Sequence, residues 1–201
     1  MNRLADLLTE SKHLGFLGPG AVDDHIEHAG AFLAATSPPR RLLDLGTGGG
    51  VPGLVLATTW TATTCTFLDA QLRRVRFLEH ACEALGLEGR VQVVHGRAED
   101  LARDPAHRGT YDLVTARSFG APAITAECAA GFLVDGGSLL VSEPPTADPA
   151  RWPAEGLRAL GLADGGVVQG PVSAARVLRS TGEPVATVPR RAPAMNRKPA
   201  F

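Results

Sequence analysis

Hydrophobic and polar positions along the chain follow two periods, one typical of strands and one typical of helices. The clearest helical stripe places apolar residues at Leu72, Val75, Leu78, Cys82 and Leu85. The pattern predicts strands at 41–45, 63–68, 91–94, 111–115, 137–142, 167–168 and 175–178, and helices at 52–60, 72–85, 121–132 and 153–160. Alternating strands and helices predict a Rossmann-like α/β fold with a mostly parallel, seven-stranded sheet and helices on both faces. The last two strands leave no room for a helix between them, so we expect one antiparallel strand.

Two segments flank this pattern. Residues 3–11 and 22–35 predict helices ahead of the sheet, joined by a turn-rich hinge at 15–20. At the other end, four prolines between 184 and 199 predict a segment without regular structure. We therefore expect one domain over 1–201, with a helical N-terminal extension at 1–36, a cofactor-binding core at 40–181 and a Pro/Arg-rich tail at 182–201.

Composition excludes several classes of protein. The 201 residues are 44% hydrophobic and 20% charged, with a net charge of −1, so overall basicity cannot hold a nucleic acid. No apolar run reaches the roughly eighteen residues that a membrane helix needs, and the first residues lack the apolar core of a signal peptide. We expect a cytoplasmic monomer without a membrane partner. The cysteines, Cys65, Cys82 and Cys128, lie far apart, which predicts core residues rather than disulfides or a zinc site.

Residues 44–53 carry the most information about function. Asp44-Leu45 ends the first predicted strand, and five glycines occupy the next eight positions, ahead of a predicted helix. Glycines in such a loop let a ligand approach the backbone closely. Gly48-x-Gly50-x-x-Gly53 satisfies the dinucleotide pattern literally, so a nicotinamide-dependent oxidoreductase is one alternative.

Asp44 favours a different ligand. A carboxylate at this strand end would repel a pyrophosphate but suits a ligand with an ammonium or sulfonium group. S-adenosylmethionine has both groups and no phosphate, and an acidic residue before Gly46-x-Gly48-x-Gly50 is the usual form of its binding loop. We therefore predict cofactor binding by Asp44, Gly46, Gly48 and Gly50.

The ends of the next three strands add further candidates. Asp69 can accept hydrogen bonds from ribose hydroxyls, or it can cap the following helix. Glu99 follows the third strand, in a loop that flanks the adenine in such folds. Arg117 follows the fourth strand, where a methyl acceptor meets the cofactor, and a cation there can hold a phosphate or a base edge.

The six histidines form no obvious cluster. His25 and His28 lie three residues apart on a predicted helix, but no cysteine or carboxylate stands at ligand spacing beside them. We interpret both as surface residues and expect no metal site.

Four segments together resemble a known family: 43–53, Phe67-Leu68-Asp69, Arg73 to Leu78, and Thr115 to Phe119. The sequence resembles the glucose-inhibited division protein B family, the bacterial 16S ribosomal RNA guanine-N7 methyltransferases, over 40–142 and loosely over the last fourteen residues. The resemblance implies the class I S-adenosylmethionine methyltransferase fold and a guanine of the small-subunit ribosomal RNA as methyl acceptor. It also implies cofactor contacts at matching positions, namely Gly46, Val51, Ala98, Glu99 and Arg117.

Two features differ from the family pattern. The family has Trp-Asn and Asn-Leu-Thr elements ahead of the sheet, which residues 10–27 lack, and it commonly ends the fifth strand with Lys where this chain has Glu143. These differences favour an alternative, a methyltransferase of the same fold acting on a small molecule. A non-catalytic S-adenosylmethionine-binding protein is a third possibility.

Guanine N7 is nucleophilic and carries no proton, so methyl transfer to it needs alignment rather than a general base. We predict catalytic roles for Arg117 and for Glu143, because a carboxylate such as Glu143 or Asp44 can stabilise the cationic product. The tail carries Arg190, Arg191, Arg197 and Lys198, which predict contacts with RNA phosphates. The expected partner is therefore 16S ribosomal RNA or the small ribosomal subunit.

Overall fold

The computed structural model describes residues 3–144, 148–182 and 184–201. The strands are β1 (Arg41–Leu45), β2 (Thr64–Asp69), β3 (Val91–His95), β4 (Tyr111–Ala116), β5 (Leu133–Glu143), β6 (Leu162–Gln169) and β7 (Ala174–Ser180). The helices are α1 (Arg3–His13), α2 (Val22–His28), α3 (Gly30–Ala35), α4 (Gly53–Thr59), α5 (Leu72–Ala84), α6 (Ala98–Leu101), α7 (Pro122–Ala130), α8 (Ala154–Ala159) and α9 (Ala192–Arg197), with a 3₁₀ turn at Pro149–Arg151. Every predicted strand is present.

The seven strands form one sheet in the order β3-β2-β1-β4-β5-β7-β6. Strands β1 to β5 pair in parallel, and β7 lies antiparallel between β5 and β6. This topology confirms the predicted fold, including the single antiparallel strand. The strand order reverses between β1 and β4, and open α/β sheets bind their ligands beside the carboxyl ends of the strands at such a point.

Two hydrophobic cores cover opposite faces of the sheet. Leu42 and Leu113 belong to the core under α1, α4 and α5, whereas their neighbours Leu43 and Val114 belong to the core under α7 and α8. Successive side chains of a strand point to opposite faces, so this alternation confirms the helices on both faces. The three cysteines are free and buried, as predicted. Across the described residues, no helix combines the length and apolar character needed to cross a membrane.

The segment predicted as one helix over 22–35 forms two, so that prediction is wrong. The break falls at Ala29, whose N–H bonds to the Ile26 carbonyl at 3.0 Å. Helix α2 packs against α1, whereas α3 packs against β6 and β7. Gly30 starts α3, and a Cβ atom at this position would lie 3.0 Å from Pro171. The absence of a side chain therefore lets the start of α3 lie close to the segment between β6 and β7.

Two smaller differences concern the ends of elements. Strand β5 is longer than the predicted 137–142, because a bulge opposite Tyr111, with Gly136 at φ 70°, lets pairing continue to Leu133. At the start of α5, Leu72 is 47% exposed and stands outside the apolar stripe of that helix.

Helix α9 lies in the tail, where the prolines predicted no regular structure. That prediction is wrong for Ala192–Arg197. Pro193 lies in the first turn, where its missing N–H costs no hydrogen bond, and the helix ends before Pro199.

Candidate functional site

The glycine-rich loop leaves the carboxyl end of β1 and leads into α4, at the point where the strand order reverses. Residues of this loop line two cavities, and a third cavity lies beside them, sharing Phe119 with one and Arg117 with the other. We name them the Asp69 cavity, the Glu143 cavity and the Gly48 cavity, each after a lining residue. The Asp69 cavity has a volume of about 170 Å³ and opens partly to solvent.

Asp44 lies beneath the loop and is fully buried. Its carboxylate accepts the Gly53 N–H at 3.0 Å and the Thr115 hydroxyl at 2.7 Å. Burial raises the pKa of Asp44 to about 6, although the hydrogen bonds from Thr115, Gly53 and Thr47 oppose the shift. The prediction that Asp44 faces a cationic ligand needs correction, because the carboxylate instead ties β1, β4 and the start of α4 together.

Several glycines of the loop lie too close to neighbouring side chains for a Cβ atom. At Gly46, which has φ +69°, a Cβ atom would lie 2.6 Å from the Phe119 ring, and at Gly53 it would lie 2.5 Å from the Asp44 carboxylate. The loop therefore packs against Phe119 above and Asp44 below. Gly50 also has positive φ, at +98°, and a Cβ atom there would lie 2.5 Å from the Leu54 side chain; the lining of the three named cavities does not include Gly50. Gly48 and Val51 line the Gly48 cavity.

Asp69 ends β2 and holds the loop from its other side. Its Oδ2 accepts the Gly48 N–H at 2.9 Å and its Oδ1 accepts the Gln71 N–H at 2.8 Å. Arg74 lies 3.7 Å from Oδ2. The N-cap position of α5 is Gln71, without a side-chain cap bond, so Asp69 holds the turn before the helix and does not cap it. Asp69 also lines a cavity, which keeps the predicted contact with a ribose open.

The loop after β3 forms another wall of the Asp69 cavity. Ala98 and Glu99 line it, and Glu99 accepts a hydrogen bond from Arg97 Nε at 2.9 Å. The structure therefore brings Gly46, Asp69, Ala98 and Glu99 together around one space, although they are distant in sequence. Three tail residues that no sequence signal indicated, Ala192, Met195 and Asn196, complete the lining.

Arg117 borders both the Glu143 cavity and the Gly48 cavity. Its Nη2 donates to Nδ1 of His25 at 2.8 Å. Its Nη1 is buried and has no partner among the described residues. Burial lowers the pKa of Arg117, and the charge of Asp44 opposes that shift. One guanidinium nitrogen of a residue that borders two cavities therefore lacks a hydrogen-bond partner among the described residues.

His25 was expected at the surface, and that expectation is wrong. The side chain is buried, and besides Arg117 it contacts the Gly18 carbonyl through Nε2 at 3.2 Å. No sequence signal pointed to it, because its position depends on a contact with Arg117, which is remote in sequence. The described residues contain no group of three or more His, Cys, Asp or Glu side chains that could hold a metal ion.

Glu143 lines its cavity from the end of β5, with both carboxylate oxygens engaged. Oε2 accepts from Arg151 at 2.8 Å, and Oε1 accepts from the Trp152 indole at 2.6 Å. The carboxylate therefore forms an internal ion pair that braces one wall of the cavity.

The basic tail residues divide into two groups. Arg190 bonds to the buried Glu127 through Nε at 2.7 Å and Nη2 at 2.6 Å, which gives it a structural role that the sequence did not indicate. Arg191, Arg197 and Lys198 are exposed. These three present their charge to solvent beside the Asp69 cavity, which Asn196 lines.

Comparisons with known proteins agree with this architecture. The O-methyltransferase from Bacillus cereus, solved in complex with SAH, superposes with a TM-score of 0.66 at 15% identity, covering 90% of this chain and 91% of that one. An O-methyltransferase of tomaymycin synthesis from Streptomyces achromogenes, solved with SAM, gives a TM-score of 0.64 at 18% identity, covering 90% of this chain and 91% of that one. These likenesses concern the fold.

Sequence comparison reaches further. Proteins named ribosomal RNA small subunit methyltransferase G from Symbiobacterium thermophilum and Leuconostoc citreum are 40% and 38% identical to this chain, over 60% and 62% of its length. The aligned regions cover 53% and 51% of those relatives, so the chain spans about half the length of the curated relatives it matches. The sequence profile of the GidB family, described as rRNA small subunit methyltransferase G, matches residues 20–143, more than half of the chain. With its β1 loop, its strand order and this match, the chain belongs to the GidB family.

Proposed function

We propose that this protein is an S-adenosylmethionine-dependent methyltransferase that methylates N7 of a guanine in 16S ribosomal RNA. The observation that carries the proposal is the Asp69 cavity, where the carboxylates of Asp69 and Glu99 meet the glycine loop at Gly46. The named relatives add support, since they are ribosomal RNA small subunit methyltransferases.

The lining of the Asp69 cavity fits the adenosine part of the cofactor. Asp69 and Glu99 supply carboxylate oxygens that accept hydrogen bonds from ribose hydroxyls. Leu68, Ile124 and Met195 supply apolar surface for a flat aromatic base. Gly46 leaves the loop without a side chain at the point where Phe119 approaches it.

The same loop disfavours a dinucleotide. A pyrophosphate binds at a helix N-terminus through free backbone N–H groups. Here the Gly48 N–H is bonded to Asp69 and the Gly53 N–H to Asp44. Two carboxylates therefore occupy the donors that a phosphate would use, and the nicotinamide alternative loses its main support.

Arg117 is our candidate for the residue that contacts the amino-acid part of the cofactor. Its unpartnered Nη1 and its place beside the Gly48 cavity make it a donor for a carboxylate there. Because Arg117 also borders the Glu143 cavity, it stands between the cofactor loop and the space left for the methyl acceptor. This position supports our proposal that Arg117 contacts both the cofactor and the methyl acceptor.

S-adenosylmethionine supplies an electrophilic methyl group when bound. Guanine N7 offers a lone pair without a proton, so the protein's own residues need only bind, orient and exclude water. The Glu143 cavity is the candidate acceptor site, with Phe119 and Trp152 among its lining residues. The Glu143 carboxylate would stabilise the positive charge of the methylated ring, although the ion pair with Arg151 offsets much of the negative charge of Glu143.

The test is transfer of labelled methyl from S-adenosylmethionine to small ribosomal subunits that lack the modification. We expect label in 7-methylguanosine, and loss of transfer in Arg117→Ala. Arg179→Ala is the matched control, because Arg179 is an exposed residue of β7 that donates to Ser138 of β5. Absence of transfer by the wild-type protein, with S-adenosylhomocysteine still bound, would contradict the RNA substrate.

That outcome would favour the small-molecule alternative. The observation behind it is the Glu143–Arg151 pair, which places an acid paired with an arginine where the family commonly has a Lys. Binding of cofactor with no turnover on RNA or small molecules would instead favour a non-catalytic binding protein. The ribosomal substrate implies a cytoplasmic protein, and we propose that it acts as a monomer, which sedimentation equilibrium can test.

A further inference from the structure

The tail from Val188 to Phe201, which we call the strap, crosses helix α7. Its first anchor is the ion pair of Arg190 with Glu127, a residue of α7 whose side chain is 0% exposed. Glu127 also accepts the backbone N–H of Arg190 at 2.8 Å. Burial alone would raise the pKa of Glu127, but its bonds to Arg190 outweigh burial and hold that pKa below its usual value.

Two further arginines hold the strap from the segment after α6. Arg103 donates to the Pro189 carbonyl at 2.6 Å, and Arg108 donates to the Val188 carbonyl at 2.8 Å. Charge-assisted bonds of this kind are among the stronger hydrogen bonds in proteins. The strap is therefore held by side chains of α7 and of the segment after α6.

Beyond these anchors, α9 closes one side of the Asp69 cavity. Met195 is 2% exposed and lines the cavity together with Ala192 and Asn196. Asp69 and Glu99 line the same cavity. The GidB profile matches only residues 20–143, so nothing in that match assigns a function to the strap.

The end of the strap reaches the other cavity. The Phe201 ring packs against Trp152, with centroids 6.3 Å apart. Trp152 in turn donates to Glu143 and lines the Glu143 cavity. One short segment thus touches the walls of both the cofactor cavity and the candidate acceptor cavity.

We propose that Met195 and Asn196 belong to the binding site for the adenosine part of the cofactor, and that the strap docks more firmly when this site is filled. The inference rests on the proposed function, since it takes the ligand to be S-adenosylmethionine or its product. The Met195 thioether supplies a polarisable contact for an aromatic base, and the Asn196 amide can pair with a base edge. Ligand binding and strap docking are coupled reciprocally. If docking of the strap raises the affinity for the ligand by some factor, bound ligand raises the equilibrium constant for docking by the same factor.

The first experiment uses the wild-type chain and S-adenosylhomocysteine. Hydrogen exchange is followed for strap amides that are bonded within α9, namely those of Ala194, Met195 and Lys198. We expect the ligand to slow their exchange by about fivefold or more, in the range of ordinary binding couplings. A peptide covering β6, which lines none of the three cavities, is the internal reference.

The second experiment compares variants by calorimetric titration. Met195→Ala is expected to weaken binding of S-adenosylhomocysteine by about tenfold. Binding of adenosine should weaken equally, because α9 lines only the cavity assigned to adenosine among the three named cavities. Glu127→Gln should weaken binding similarly and should speed strap exchange without ligand. Leu87→Ala is the matched control, because it truncates a buried side chain of similar size in the opposite core.

The outcomes separate the two proposals. If the wild-type protein binds S-adenosylhomocysteine but strap exchange and the affinity of Met195→Ala stay unchanged, the strap inference is overturned and the proposed function stands. If Met195→Ala lowers only the melting temperature, as Leu87→Ala does, Met195 is merely structural and the inference is likewise overturned. If the wild-type protein binds neither ligand, both proposals fail.

Discussion

Arg117 donates from Nη2 to Nδ1 of His25 at 2.8 Å, and this bond fixes the state of the imidazole. A guanidinium can only donate, so Nδ1 must accept. Nε2 faces the Gly18 carbonyl at 3.2 Å, which can only accept, so Nε2 carries the proton. His25 is therefore neutral in this arrangement, and it orients an arginine that borders two of the cavities.

Acid should disturb this pair before it disturbs the fold as a whole. Burial lowers the pKa of His25 from 6.5, and the charges of Arg117, His28 and Lys12 lower it further, against the bond to Gly18. Because the folded protein prefers the neutral ring, its stabilising contribution is complete above pH 6.5 and is lost as pH falls through the lowered pKa. We expect S-adenosylhomocysteine affinity to fall in the same range. His25→Asn, whose amide oxygen can still accept from Arg117, should flatten that acid limb.

The matched control is His80→Asn, at an exposed histidine of α5. Asp44 also titrates near pH 6, so the informative quantity is the difference between the two variants rather than either profile alone. Identical pH profiles for His25→Asn and His80→Asn, measured by titration calorimetry from pH 5 to 8, would show that Arg117 does not depend on His25.

Asp44 gives a prediction of opposite sign. Its pKa is raised from 3.8 to about 6 by burial, so the folded protein binds the proton more tightly than the unfolded chain does. Stability contributed by this group is therefore present at low pH and lost as pH rises through about 6. Asp44→Asn removes the ionisation, and its oxygen can still accept from Gly53. We expect the free energy of unfolding of the variant, relative to wild type, to rise by roughly 2 kcal/mol between pH 4 and 7.

Urea unfolding at matched pH values measures this difference directly. A relative stability that falls toward pH 7 would mean that the ionised carboxylate stabilises the loop through Thr115 and Gly53. Such a result would overturn the assignment of a raised pKa.

Substitution of Gly46 tests whether the glycine loop forms part of the surface that binds the cofactor. Alanine there combines φ +69° with a Cβ atom 2.6 Å from Phe119. We expect Gly46→Ala to lower stability by about 1–3 kcal/mol and to abolish measurable binding of S-adenosylhomocysteine. Gly86→Ala is the matched control, since Gly86 has φ +65° with nothing within 4 Å. A similar affinity in the two variants, by calorimetry, would exclude Gly46 from the binding surface.

The sequence predicted those parts of the site that follow directly from strand ends. The order of β1 to β4 brings Gly46, Asp69 and Glu99 to one edge of the sheet, and a parallel sheet leaves no other place for them. It did not predict that Asp44 lies below the loop, because the motif gives the residue type but not the direction of its carboxylate.

His25 and the strap were missed for a different reason. Both positions depend on contacts between segments remote in sequence, which periodicity does not report. One signal was available: Glu127 is a lone acid in the Ala-rich helix α7, and a charge buried in such a helix requires a basic partner. That partner, Arg190, lies in the segment that proline content had indicated as irregular.

One experiment can test whether the exposed basic residues of the tail bind RNA while Arg190 stabilises the fold. Replacing Arg191, Arg197 and Lys198 by alanine should weaken binding of small-subunit ribosomal RNA and reduce the slope of log affinity against log salt by about one for each phosphate that the variant no longer neutralises. Arg190→Ala should instead lower the free energy of unfolding by about 3 kcal/mol, because it leaves the Glu127 charge buried and unpaired. Filter binding from about 50 to 200 mM salt, with urea unfolding of the same proteins, separates the two effects. A salt slope unchanged in the triple variant would mean that the RNA contacts lie elsewhere, since exposed cations on a docked strap cannot bind phosphates without releasing counterions.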